Sequence, residues 1–333
     1  MEIYMLKTKG ANKYRIGNLI GVEDSRVFQL SEQKTIEDGK KKSWLDRSDI
    51  CVIKNNDPLK QALFEYGVGY SQLRYDSKAY VLKKIETECG HYYPRIYRPL
   101  LESNQLDFMI PYEQREIHKL NNALYPFPPD IPNNRNFLLS SINQLSLFKE
   151  KLIDIFNHIS PSPSNLNSFG PEIKNLLVLA CIEVETQLRG IFVANETIQR
   201  KNYTTKQFVL LKSILKLERY QVYLPYFPDL PAIKPFGSWR MSNPSSSLKW
   251  YSAYNEIKHN SEMHYAQATL RNALAAVSAV AILLKAQYGD AIEFWNDKIG
   301  NFLLVTNNIK WEISEMILPP LAKDDWQIKK FGL

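Results

Sequence analysis

The sequence predicts an α+β protein: an all-α helical bundle attached to a small N-terminal α/β region and joined by a C-terminal β-hairpin. Three observations carry this. Residues 1–55 hold short apolar runs (Ile3–Leu6, Tyr14–Val22, Val27–Leu30, Ile50–Ile53) separated by turns rich in Gly, Asp and Lys. From residue 134 to 290, apolar residues recur at helical spacing in several long stretches. Between these regions lies YPFPPDIP, Tyr125–Pro132, whose four prolines forbid regular structure.

The elements follow in order. Glu37–Lys42, EDGKKK, reads as an exposed turn. Pro58 opens a helix to Leu73, weakened by Gly67 and Gly69, and Tyr112–Leu124 forms a second short helix. Tyr80–Tyr97 has strand composition, interrupted by Gly90 and Pro94. In the helical domain, Phe137–Ile159 is followed by SPSPSNLNSFGP, and Pro171 then opens a helix reaching Asn195. Thr204–Arg219 makes another helix. Tyr223–Pro244 is an irregular connection holding Phe236, Trp239 and Arg240, of the length that is functional or packs across a domain. Pro244 and the hydroxyls of Ser245–Ser247 start a helix to Asn260, and an alanine-rich helix runs from Tyr265 to Tyr288. In the tail, residues 291–333, Phe302–Thr306 and Ile309–Ile313 flank Asn307-Asn308 as a hairpin able to extend the N-terminal sheet.

The 333 residues are 44% hydrophobic and 23% charged, ordinary for a soluble chain. The first twenty residues lack the pattern of a secretory leader, and the run Ala273–Leu284 is too short and too alanine-rich to span a bilayer. A cytoplasmic protein without a membrane partner is expected. Cys51, Cys89 and Cys181 stand too far apart for a ligand-spaced pair, and Cys89-Gly90-His91 has no second half-site, so no metal is expected. No Walker A loop, dinucleotide fingerprint, nucleophile elbow or zinc-protease motif is present, so no cofactor is expected. The net charge of +7 is spread along the chain. It permits contact with a polyanion, and a solvated, slightly basic surface is the preferred reading.

The chemistry-bearing stretch is Trp250–Asn260, WYSAYNEIKHN. At about 100° per residue, Leu248, Tyr251, Asn255, Lys258 and His259 share one arc, while Trp250, Tyr254 and Ile257 line the opposite flank. A helix apolar on two flanks is sandwiched between neighbours, and its polar trio then points into a partly enclosed place. Glu183 and Glu185 border the apolar stripe of the Pro171–Asn195 helix and are placed to meet Lys258 and His259. Such a set can cleave RNA without a metal, because the ribose 2′-hydroxyl is itself the nucleophile. His259 would be the acid/base, Lys258 the charge stabiliser and Asn255 the positioning group. The same residues can instead form a buried polar network that sets helix register, with Glu183 or Glu185 as counter-ion.

Three blocks in order, LLVLACIEVETQLRGIFVAN (Leu176–Asn195), PFGSW (Pro235–Trp239) and WYSAYNEIKHN with its alanine-rich helix, resemble HEPN-like proteins. These are bacterial all-α proteins, often linked to toxin and phage-defence loci, and the resemblance covers about half the chain. It implies an RNA-directed protein, a homodimer through the helical domain and a metal-independent endoribonuclease. Active members carry Arg-x(4–6)-His at the interface of a helix pair. Here the nearest arginine upstream of His259 is Arg240, and Lys258 to His264 has the motif's spacing with lysine in place of arginine, without the bidentate fork. His264 is thus a second candidate, and His259 is preferred because it shares an arc with Asn255 and Lys258. The competing expectation is a non-catalytic HEPN-like protein for interaction, dimerisation, or nucleotide or RNA binding. In a third, the N-terminal half acts, with HYYPRIYRP (His91–Pro99) stacking on bases, though the same stretch also reads as a half-buried strand.

Overall fold

The computed structural model describes residues 1–8, 19–37, 40–53, 58–59, 63, 80–98, 131–196, 201–289, 299, 301–309, 311–322 and 325–332. The class is α+β, in two units. One comprises Met1–Tyr92, Tyr97–Ile131 and Trp311–Lys329; the other comprises Tyr93–Ile96, Pro132–Lys310 and Lys330–Leu333. The helices expected over 58–73 and 112–124 lie outside the described residues, apart from Pro58, Leu59 and Leu63.

In the first unit, β1 (Glu2–Thr8), β2 (Leu19–Glu23), β3 (Arg26–Glu37), β4 (Lys40–Val52) and β5 (Tyr80–Ile85) form one antiparallel sheet in the order β4-β3-β2-β1-β5. The period of two places Ile3, Met5, Leu19, Phe28, Leu30 and Leu45 in one core cluster, and Ile20 and Val27 in another, which Leu63, outside the strands, joins. Asp24 and Ser25 link β2 to β3 with φ of 48° and 64°, the sign that a tight two-residue hairpin requires.

The C-terminal tail completes this unit. Leu318 is fully buried in the first cluster, the Leu45 N–H donates to Pro320 O at 2.7 Å, and β9 (Gln327–Ile328) pairs in parallel with β6 (His91–Tyr92). Gly90, at φ 77°, passes so close that a Cβ would lie 2.5 Å from Asp325 O. The tail therefore does reach the N-terminal unit, but not through the expected hairpin. Leu304–Asn307, β8, pairs instead with β7 (Tyr220–Tyr223) of the helical unit. The Asn307 side chain accepts the Ile309 N–H at 3.0 Å, and Ile313–Glu315 forms a 3-10 turn, so the second arm is spent on local bonds.

Among the described residues the helical unit holds four main helices: α1 (Ile131–His158), α2 (Pro171–Asn195), α3 (Lys249–His259) and α4 (Leu270–Tyr288). α2 has the span that its apolar rhythm predicts, with Pro171 in the first turn, where a missing N–H costs nothing. α4 is buried on every side from Ala276 to Tyr288. It is the one described helix long and apolar enough to cross a membrane, yet 83% of its apolar window is buried within the protein, as in a core helix. Thr204–Arg219 is broken into two single helical turns and a 3-10 turn, where Lys216 adopts φ 50°. Ser247 does not cap α3 through its side chain; its Oγ accepts the Arg240 N–H instead.

Candidate functional site

α3 is seated on the long proline-rich loop. Trp250 Nε1 donates to Pro235 O at 2.9 Å, and Phe236 packs at a tilt on Trp239 and edge-on to Trp250. Tyr251 then reaches α2, donating to Glu185 Oε1 at 2.6 Å. The three blocks singled out in the sequence thus meet, held by indole and phenol donors whose rings are buried. Burial first, and the Glu185 carboxylate second, push the Tyr251 phenol well above the ordinary tyrosine value and raise Tyr254 to about 12. Both stay neutral at physiological pH, Tyr251 as a donor. Cys181, buried beside them, is also raised, by desolvation and then by Glu185.

The polar trio lies differently from its expected place. Trp250, Tyr251, Tyr254 and Ile257 are buried, as two apolar flanks require, but Asn255 is only half-buried, and Lys258 and His259 are exposed. The reason is position along the axis: α3 has eleven residues, and its last turn carries Lys258 and His259. Neither expected carboxylate meets them. Glu185 is taken by Tyr251, and Glu183 accepts from Gln187 Nε2 at 3.0 Å. His264, half-buried, lies 3.3 Å from Glu256 Oε2 and 3.1 Å from Gln267 Nε2. Arg240 is exposed in the loop before α3.

Lys258 borders a groove of about 580 Å³ between α2 and α3. Lys151 of α1 and Lys174 of α2 line the same groove, with Asn175 and Ser261 as its neutral polar groups. The remaining lining is apolar: Val178, Leu179, Ile182, Tyr254 and Ile257. The lysine partners were not foreseen, because each stands alone on a separate helix. Among the described residues no group of three His, Cys, Asp or Glu side chains is placed to hold a metal.

A second polar centre also escaped the sequence. Arg95, on the turn Tyr93–Ile96 at φ 61°, lays its guanidinium 3.7 Å from the centre of the Phe137 ring. Gly190 of α2 makes the room: a Cβ there would fall 1.4 Å from Nη1. Burial lowers the pKa of Arg95, opposed by Tyr288 and Glu183. Gln287 continues the chain through Gln187 at 3.2 Å to Glu183, and Asn195 donates to Pro94 O at 2.7 Å. The one sequence signal was a glycine inside the apolar rhythm of α2.

In the stretch expected to be a half-buried strand or a base-stacking surface, described over residues 91–98, Tyr93 is 37% exposed. Only His91–Tyr92 is strand; Tyr92 and Tyr97 are buried, with Trp326 against Tyr92, and Tyr93 packs on Phe331.

No family model matches this chain, and no curated protein or solved structure matches it either.

Proposed function

We propose that the helical unit is a HEPN-like, RNA-directed module of the toxin or phage-defence type, acting as a homodimer and cleaving RNA without a metal. The supporting observation is the exposure of Lys258 and His259 at the end of α3, with Lys258 on a groove shared with Lys151 and Lys174. Groups in this position are reachable by a phosphodiester, which a buried register-setting network is not. In the reaction the 2′-hydroxyl attacks the adjacent phosphorus, its proton passes to one His259, and the 5′-oxygen leaves with a proton supplied by another. Two copies supply the two histidines. Lys258 steadies the charge on the pentacovalent phosphate and Asn255 positions it.

A second reading is non-catalytic binding of RNA or a nucleotide, favoured by the engagement of Glu183, Glu185 and Glu256 with other partners, none of them His259. Cleavage of total cellular RNA and tRNA in EDTA separates the two, comparing wild type with His259→Ala and Lys258→Ala. Loss of cleavage in both, with unchanged thermal melting, supports the catalytic reading. RNA retention without cleavage by wild type selects the second.

A further inference from the structure

We propose that the groove between α2 and α3 docks an acidic amphipathic helix of a partner protein. Its floor is aliphatic, and Leu179 and Ile182 are 41% and 46% exposed, a contiguous apolar strip of the kind that marks an interaction surface. Lys151, Lys174 and Lys258 stand around it, and among the described residues none in the lining is acidic. Among the described residues no carboxylate is ion-paired with any of these three lysines. An apolar strip edged by such cations is the complement of a helix with apolar anchors at i, i+3, i+4 and i+7, flanked by Glu or Asp. Charge complementarity then sets orientation and speeds encounter.

Two other occupants fit less well. A second copy of this chain would bring three ammonium groups against three, at a like-charge cost. A single-stranded nucleic acid would satisfy the cations, but its bases need aromatic faces. Among the described residues the only aromatic one in the lining, Tyr254, is buried, and the rest of the floor is Val, Leu and Ile. The docked helix covers Lys258 and so competes with any polyanion that uses it. Docking stands whether or not the protein cleaves RNA.

The test is fluorescence anisotropy of the full chain with a labelled peptide of about 18 residues, some five helical turns, carrying Leu at helical spacing and Glu elsewhere. The controls are the same peptide with Lys for Glu, an acidic scramble without helical spacing, and an oligouridine. Binding of the acidic amphipathic peptide alone, weakened by salt, is expected. It should fall at least about tenfold in Lys151→Glu/Lys174→Glu and in Ile182→Asp. Leu179→Ala/Ile182→Ala, a milder change at exposed positions, should weaken it in the same direction. No binding of this peptide, equal binding of the lysine peptide or the scramble, insensitivity to all three variants, or groove-dependent binding of oligouridine alone would each overturn the proposal. RNA cleavage in EDTA on the same preparations reports separately on catalysis.

Discussion

Gly190→Ala should destabilise the helical unit, against the usual sign of a glycine-to-alanine change inside a helix. At an ordinary interior position the added methyl stabilises by about 1 kcal/mol, because glycine loses more backbone entropy on folding. Here the new Cβ would lie 1.4 Å from Nη1, 2.4 Å from Cζ and 2.9 Å from Nη2 of Arg95, so the guanidinium must withdraw. Withdrawal forfeits the stacking on Phe137, worth about 0.5–2 kcal/mol. It also takes the cation from Glu183 and Tyr288. The hydrogen bond between the guanidinium and Tyr288 is lost as well, at about 1.5–3 kcal/mol for a bond to a charged group. With about 1 kcal/mol returned by helix propensity, the net loss is about 1–4 kcal/mol. At roughly 2–4 °C per kcal/mol for a unit of this size, the melting temperature should fall by roughly 2–16 °C.

A double-mutant cycle isolates the cause. In an Arg95→Ala background the guanidinium is gone and the methyl enters vacated space, so Gly190→Ala should become neutral or stabilising by up to about 1 kcal/mol. Calorimetry on wild type, both single variants and the double variant reads this directly. A stabilising Gly190→Ala in wild type, or an equal loss in both backgrounds, would refute the reasoning.

Two further perturbations follow from the same kind of argument. Tyr251→Phe removes the bond to Glu185 and should cost about 1–3 kcal/mol near neutral pH. Because the folded Tyr251 pKa lies above its unfolded value of about 10, this stability is complete below that pH and is lost as pH rises through the folded value. Urea denaturation should show the wild-type advantage shrinking above about pH 10, and a gap that stays constant with pH would contradict the assignment. Leu318→Ala should destabilise the N-terminal unit by about 2–5 kcal/mol, since its side chain is fully buried beside Ile3, Met5 and Leu45. A loss below about 0.5 kcal/mol in denaturant titration would place Leu318 outside that core.

Much of the fold was legible where one local rule decided the outcome. Alternation of Ile3, Tyr4 and Met5 determines which face of β1 is buried, and Pro171 with the apolar rhythm to Phe192 determines where α2 starts and which stripe it buries. The hairpin around Asn307-Asn308 failed because strand propensity names no partner. Leu304–Asn307 met Tyr220–Tyr223, distant in sequence, while the Asn307 side chain took the Ile309 N–H. The tail's seat on the first unit was anticipated only as strand pairing, yet Leu318 and the Pro320 carbonyl do much of the anchoring.

The site shows the same limit more sharply. Helical-wheel arithmetic correctly put Tyr251 and Lys258 on one arc, but an arc has length as well as angle: Tyr251 lies against α2 and donates to Glu185, whereas Lys258 lies two turns further on, in solvent. An ammonium in water interacts with a phosphate about twentyfold more weakly than at the dielectric of a dry interior, so an exposed Lys258 stabilises little transition-state charge by itself. Any catalysis at Lys258 and His259 therefore requires a surface that closes over the end of α3 and excludes water. In the proposed homodimer a second copy would have to supply that surface, with the second histidine, while keeping its own lysines away from the groove. A docked acidic helix would instead neutralise the lysine. Whichever surface covers the end of α3 thus determines whether Lys258 meets a phosphate or a carboxylate.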